Sequence, residues 1–413
     1  MAHRTLIARA SVASLALYLS LCMAAHAAPP PLVESRCATG NLVDAEFRDA
    51  TLQALGRLVV HAPGTAADGA VRTHHSAGHV DAQAHAWHQV SAYQVNLGLV
   101  GALRVSAQLL PVVEDWLKWQ ARHIVPVGAR RGVVLDHWVR ADTHEESTCP
   151  PGIEQRLCNH VDAYDSTAAS TLLMADAFLR HGGRVAVLRD PEMRAALQAA
   201  ASMLRELTTA EGLTLAMPDH RVAYTMDAVE VIAGWRAWSR VQRNAYAEPA
   251  AADNTLALAT RAEAAFNARL WDGAHGTWRV NADAGAPERG RWYPDTMAQA
   301  WPLLWGGAPE AIARDITTWQ RAIAPWQTKA AHWADRVADP AGFLWPAAAV
   351  AAHCSGDLGS ARRWVARARQ RWLDPKAPFA WPFQVGDLLW LLWLAEAPIQ
   401  PVASRAFPSP THA

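Results

Sequence analysis

From Asp44 onward, apolar residues recur at three- and four-residue spacing, in segments parted by turns that carry Gly, Pro or Asp. That spacing marks helices that bury one face, and no convincing run of period-two alternation interrupts it. The pattern predicts an all-α chain of twelve helices, at roughly 44–60, 90–108, 111–124, 165–181, 191–209, 223–243, 254–271, 293–305, 309–324, 344–354, 358–373 and 380–396. Their character alternates. The eleventh keeps Leu358, Ala361, Trp364, Val365, Ala368 and Trp372 on one face and arginines elsewhere, whereas the tenth (WPAAAVAAHC) and twelfth (LLWLLWLAE) are apolar nearly all round. Odd-numbered helices therefore face water, and even-numbered ones are enclosed.

Six hairpins of one exposed and one enclosed helix predict an (α/α)6 toroid, an inner ring of six helices wrapped by an outer ring. A superhelical array of helical pairs is the competing solution, but it calls for a more regular repeat than these hairpins show. An insertion from Arg131 to Asp162 separates the third and fourth helices. A long loop of this kind at the mouth of a ring shapes a cleft.

The first 27 residues read differently. Arg4 and Arg9 precede an apolar run to Ala24, and Ala25-His26-Ala27 forms a small-x-small cleavage site, so 1–27 is expected to be a secretory signal peptide. Residues 28–400 form one toroid domain in this reading, and 401–413 a disordered tail. The expected location is periplasmic or secreted, with no membrane association once the signal is cleaved. Cys22 raises a lipoprotein anchor, which Leu21 disfavours. Four cysteines remain after cleavage, an even number for an oxidising compartment. The short separation of Cys149 and Cys158 favours a local bridge, and Cys37 with Cys354 would tie the first hairpin to the last; buried free thiols are the alternative.

The 38 basic residues balance the 38 acidic ones, and no basic stripe with interleaved aromatics suggests nucleic acid or anionic membrane as a partner. Phosphate loops, GxSxG elbows and HExxH motifs are absent. Neither a cofactor nor a metal is expected, and the histidines from His74 to His88 are irregularly spaced and read as a flexible loop. The 20 tryptophans fill the core or stack on sugars.

In a closed ring the even helices run parallel, so their N-termini meet at one end. Each entry carries an aromatic: Tyr93 near Asn96, Tyr164 with Asp162 and Asp165, Tyr224 with Asp227 and Glu230, Trp292 and Tyr293 with Asp295 and Gln299, Trp345, and Trp381 with Gln384. Asp165 and Asp295 could simply be N-caps. Asp227 and Glu230 share a helix face among apolar residues, which calls for an arginine partner or a task. A pyranose offers an apolar CH face for an aromatic ring and a hydroxyl rim for carboxylates and amides. Trp138, Tyr164, Trp292, Tyr293, Trp345 and Trp381 are thus stacking candidates, and Tyr93, Asn96, Asp136, Asp162, Gln299 and Gln384 polar contacts.

At YDST (164–167) with the helix that follows, EGLTLAMPDHRVAYTMDAVEV (211–231) and WYPDTMAQAWPLLWG (292–306), the chain resembles uncharacterised bacterial proteins of the six-hairpin glycosidase superfamily. The resemblance implies an (α/α)6 toroid with a sugar-binding cleft and, in many members, hydrolysis by a carboxylate pair. The chain departs from the family pattern at Ala168, Ala228 and Leu135, where an acid, an Asn and a Tyr are expected. This bears on activity more than on fold. The leading expectation is a glycoside hydrolase with Glu230 as general acid, its pKa raised by apolar neighbours, and Asp165 or Asp295 as base, with Asp227 beside them and Asp136 and Asp162 positioning substrate. A non-catalytic carbohydrate-binding protein is one alternative. A polysaccharide lyase or sugar epimerase is another, with Tyr224, His220 and Arg221 as the lyase candidates.

Overall fold

Burial along the chain follows the alternation of helix character. The computed structural model describes residues 41–306, 311–328, 332–336 and 339–395. It contains α1 (Ala45–Leu58), α2 (Ala92–Val105), α3 (Leu110–His123), α4 (Tyr164–Arg180), α5 (Pro191–Leu207), α6 (Thr225–Asn244), α7 (Pro249–Leu270), α8 (Met297–Trp305), α9 (Ile312–Gln327), α10 (Pro346–Cys354), α11 (Leu358–Trp372) and α12 (Leu388–Trp393), besides single turns. All twelve predicted helices are present. Those with one apolar stripe, such as α5 and α11, bury that stripe alone, while α4, α8, α10 and α12 are buried nearly throughout.

The enclosed helices form a continuous circuit. α2 packs on α4, α4 on α6, α6 on α8, α8 on α10, α10 on α12, and α12 returns to α2. Outside them, α5 backs α4, α7 backs α6, α9 backs α8 and α11 backs α10. This is the (α/α)6 toroid. Its closure depends on two glycines: a Cβ on Gly98 would stand 2.2 Å from the carbonyl oxygen of Val385, and one on Gly101 2.5 Å from the Cα of Leu389. The outer ring is stitched at the same seam, where the N–H groups of Leu42 and Val43 both donate to the carbonyl of Leu394, Phe47 meets Trp372, and Arg369 pairs with Asp44 and Glu46. Asp44 also caps α1 by accepting from the Phe47 N–H at 2.9 Å.

Two expectations need correction. The chain carries a four-stranded antiparallel sheet, β1 (His79–Val80), β2 (Ala86–Val90), β3 (His137–Arg140) and β4 (Glu146–Ser147), and a second hairpin of β5 (Trp271–Asp272) and β6 (Thr277–Trp278). The stretch from His74 to His88 belongs to this sheet and its approach, with His74 and His88 buried, and is not a loose loop. These strands are too short for alternation to register, and β3 is buried on both faces. The insertion from Arg131 to Asp162 thus folds onto the ring as β3 and β4. A Cys149–Cys158 disulfide closes its end.

Cys354 is also disulfide-bonded; Cys37, its expected partner, lies outside the described residues, as do the expected signal peptide and tail. Among the described residues no helix is long and apolar enough to cross a membrane.

If the glycine seam sets ring closure, Gly98→Ala and Gly101→Ala should each destabilise by about 1–3 kcal/mol through overpacking. Gly56→Ala in α1, where a Cβ meets nothing within 4 Å, should stabilise by about 0.5–1 kcal/mol by removing helix-interior glycine entropy. Urea unfolding of the three variants checks both signs.

Candidate active site

Because the six inner helices run parallel, their first turns surround one mouth, and a cavity of about 1070 Å³ opens there. Every inner helix contributes to its wall: Tyr93 and Leu97 from α2, Ser166 from α4 with Asp162 before it, Asp227 from α6 after Tyr224, Trp301 from α8 after Tyr293, Ala347 from α10 after Trp345, and Trp390 from α12 after Asp387.

One side of the cavity is acidic. Asp227 stands in the first turn of α6 and Glu230 one turn deeper, almost wholly buried. Glu230 Oε1 accepts from the Tyr93 hydroxyl and from Trp301 Nε1, both at 2.9 Å. Asp165 is fully enclosed behind them, bonded to the Ser166 N–H at 2.8 Å and the Thr214 hydroxyl at 3.1 Å. Among the described residues none of these three carboxyls forms an ion pair. Burial therefore governs them, with mutual repulsion added. Glu230 is pushed up to about 8 by burial and by the charge of Asp227, against its bonds from Trp301 and Tyr93. Asp227 rises to about 7 through burial and the charge of Asp162. Asp165 is raised well above the usual carboxylate range by burial, then by Asp227. The Ser166 hydroxyl has no bond of normal length, yet lies near enough to Asp227 and Glu230 to favour their charged forms.

Asp387 stands across the mouth. It closes a reciprocal cap with Gln384, accepting from the Gln384 N–H at 3.0 Å, and burial pushes it up to about 7. Around the ring α12 is the sixth inner helix and α6 the third, so Asp387, just before α12, and Asp227, in the first turn of α6, line the cavity from the entries of opposite helices.

Aromatic rings join these two sides. Tyr293 stacks on Trp345 with centroids 4.9 Å apart, Trp345 meets Trp301 and Phe343, and Phe343 meets Trp381, half-exposed at the rim. Trp345 holds a left-handed backbone (φ 54°), unfavourable for a bulky residue, and Asp339 fixes its ring by accepting from Nε1 at 2.7 Å. Strain of this kind, of order 1–3 kcal/mol, persists where the surroundings enforce it and clusters at functional sites.

No protein-family model matches the chain, and no curated protein matches it. Among solved structures, a novel alpha-amylase from Clostridium perfringens aligns with a TM-score of 0.51 and 9% identity, over 84% of this chain and 96% of that one. A wild-type glycosidase aligns with a TM-score of 0.50 and 12% identity, over 86% and 96%. The chain shares its overall fold with these structures. At such identities the likeness speaks for the fold alone.

Within this toroid, the residues singled out from sequence separate into two groups. Tyr93, Asp162, Asp227, Tyr293, Trp345 and Gln384 line the cavity, with Glu230 and Asp165 behind its acidic side. The others are placed elsewhere. Asp295 accepts from the Glu288 N–H and faces Arg291, so it shapes the loop ahead of α8; neither it nor Asp165 is an N-cap. Trp292 is packed between Trp326 and Trp333, Trp138 lies in β3 against His79, and Tyr164 is buried beneath the entry to α4. Asn96 ties α2 to α3 through Gln120 and Trp116, and Gln299 bonds both backbone groups of Trp278. Asp136 reaches the cavity indirectly: it holds His160, on the wall, at 3.1 Å and accepts from Gln89.

His220 and Tyr224, both on the wall, are bonded at 2.9 Å, while Arg221 is not among the lining residues. The structure adds Asp387, Asp339, Trp301, Phe343 and Ser166, which sequence reading passed over. Asp387 has a discernible signal, as an acid three residues after Gln384 and directly before an apolar run.

The raised carboxyls make stability depend on pH. Glu230 goes from an ordinary 4.5 to about 8 on folding, so between these values the folded state holds a proton that the unfolded state has released. Its stabilising contribution is complete below about pH 4.5 and is lost as pH rises towards 8. Glu230→Gln keeps the acceptor for Tyr93 and Trp301 without the charge. The variant should gain stability on the order of 1 kcal/mol or more at pH 8 and little at pH 4.5, as measured by urea denaturation at both pH values.

Proposed function

We propose that this protein is an exported glycoside hydrolase that cleaves an oligo- or polysaccharide in the cavity at the ring mouth. The reading rests on one observation above others: Asp227 and Asp387 stand at the entries of opposite inner helices, on one cavity, with an aromatic wall beside them. The aromatic rings receive the CH faces of sugars, and the carboxyls flank the bond to be broken.

In this reading Asp227 is the general acid. Burial and the charge of Asp162 on the same side of the cavity oppose its ionisation, so it retains a proton to give to the glycosidic oxygen. Asp387 is raised by burial and opposed by the Gln384 N–H, with no carboxyl neighbour adding repulsion. As the carboxyl at the opposite helix entry it is assigned the base, which takes a proton from an attacking water. A water between base and sugar calls for carboxyl groups about 6.5–9.5 Å apart and yields an inverted product. Glu230, the acid expected from sequence, acts here by fixing Tyr93 and Trp301. Export, to the periplasm or the medium, is proposed from the expected signal peptide at 1–27 and agrees with the disulfides.

The lyase alternative keeps a base in the bonded pair His220 and Tyr224. It lacks an arginine or lysine on the described cavity wall to neutralise a uronate.

Asp227→Asn and Asp387→Asn should each keep the fold and sugar affinity while lowering turnover by a factor on the order of 100 or more. The wild-type rate should be bell-shaped in pH with its maximum near neutrality, because protonating Asp387 removes the base on one side and ionising Asp227 removes the acid on the other. Reducing-end assays across a glycan panel, with the anomer of the first product read by NMR, provide the test. Binding without release of reducing ends would leave a carbohydrate-binding protein, and an unsaturated product would indicate a lyase.

A further inference from the structure

His160 lies on the cavity wall two residues before Asp162, and nothing in the chemistry above uses it. Its imidazole is held from behind. Asp136 stands just ahead of β3, is 5% exposed and does not itself line the cavity. Its Oδ2 accepts from Gln89 Nε2 of β2 at 2.9 Å and lies 3.1 Å from His160 Nδ1. A carboxylate can only accept, so Nδ1 carries the hydrogen. That leaves Nε2, at the far edge of the ring, to donate when the ring is charged and to accept when it is neutral. Among the described residues Nε2 has no partner within the chain, and the side chain is 35% exposed.

The bond to Asp136 is not needed to anchor this segment. The Asp136 N–H already donates to the His160 carbonyl at 2.7 Å, and the Asn159 N–H to the Thr148 carbonyl at 2.8 Å. The Thr148 hydroxyl donates to Asn159 Oδ1 at 2.6 Å, Arg130 donates to the Asn159 carbonyl at 3.0 Å, and the Cys149–Cys158 disulfide closes the loop. What the side-chain bond adds is the orientation of the ring. His123, on α3 beneath the same sheet, shows how a purely structural histidine is held: Nδ1 bonds the Trp119 carbonyl at 2.7 Å and Nε2 bonds Glu146 at 2.8 Å, so neither nitrogen is left over. His160 has the orienting half of that arrangement, with its other nitrogen open on the cavity side.

We propose that His160 is a substrate-binding residue, its ring oriented by Asp136 so that Nε2 bonds a hydroxyl of the sugar seated beside Asp162. The proposal rests on the carbohydrate reading above. It gives the insertion a task, since β2, β3 and the disulfide-closed loop together present one aligned imidazole to the ring mouth. It also agrees with the acid assigned to Asp227. The bond to Asp136 raises the His160 pKa against burial, with the charges of Asp136 and Asp162 adding to the rise and Arg156 opposing it. His160 in turn opposes the burial that raises Asp162, and a charged Asp162 helps to hold the proton on Asp227.

The test uses the full-length protein and four probes, gluco-, manno-, galacto- and xylo-hexaose, titrated by calorimetry into the wild type, His160→Gln and Asp136→Asn. Any hexaose that binds the wild type should bind His160→Gln about 10-fold more weakly or worse, the worth of one hydrogen bond from a charged group. Asp136→Asn should also weaken it, although residue 136 does not line the cavity, because the ring loses its orientation. Nitrogen-15 NMR of the wild-type histidines supplies a readout that needs no variant to fold. The neutral His160 ring should carry its hydrogen on Nδ1, and its Nε2 signal should move when the hexaose is added. Unchanged affinity in either variant, a hydrogen on Nε2 in the neutral ring, or an Nε2 signal that stays still while sugar binds would overturn the proposal and leave the carbohydrate reading standing. Failure of every hexaose to bind the wild type would remove both.

Discussion

The architecture depends on how closely α2 can approach α12. With side chains at positions 98 and 101 the first and last inner helices would be held apart by the clashes those Cβ atoms would make, and the circuit would open. Closure removes any unpaired helix face and sets all six inner helices parallel, so their first turns share one mouth. The cavity follows from that arrangement. Gly234 plays the same part between α6 and α4, where a Cβ would stand 2.8 Å from that of Ala169.

The division between paired and unpaired carboxyls runs along the ring axis. Towards the far end of α4, Asp176 has arginines; at the mouth, Asp165, Asp227 and Glu230 have hydroxyls, an indole and one another. First-turn placement favours a carboxylate by up to about 2 kcal/mol, and each pKa unit corresponds to 1.36 kcal/mol. Asp227 nevertheless moves from 3.8 to about 7. Burial and repulsion outweigh the helix dipole by a clear margin, and the fold keeps this group protonatable near neutral pH at a cost in stability. Perturbation of this kind marks functional sites more often than structural ones.

How much of this was legible in the chain depends on what helical periodicity encodes. It reports which face of a helix is covered, so the amphipathic run of α11 and the all-round apolar run of α12 gave the two rings directly. It does not report depth along the ring axis. Trp292 and Tyr293 are consecutive, yet one is packed between two tryptophans and the other faces the cavity. Asn96 and Tyr93 sit one turn apart on α2, and that turn separates a core hydrogen-bond network from the cavity wall. Asp387 was passed over because it looked like the polar end of a buried run. The small sheet escaped notice because strands of two to five residues leave too little alternation to distinguish from loop.

The central claim is that sugar is held at the mouth of the ring between Asp227 and Asp387. A crystal structure of the Asp387→Asn protein with a bound oligosaccharide tests this most directly. The account predicts a glycosidic oxygen within hydrogen-bonding reach of Asp227, a sugar ring lying on Tyr293 and Trp345, and residues 227 and 387 about 6.5–9.5 Å apart across the scissile bond. Sugar bound only at the outer rim around Trp381, or a cavity that stays empty while sugar binds elsewhere, would contradict it.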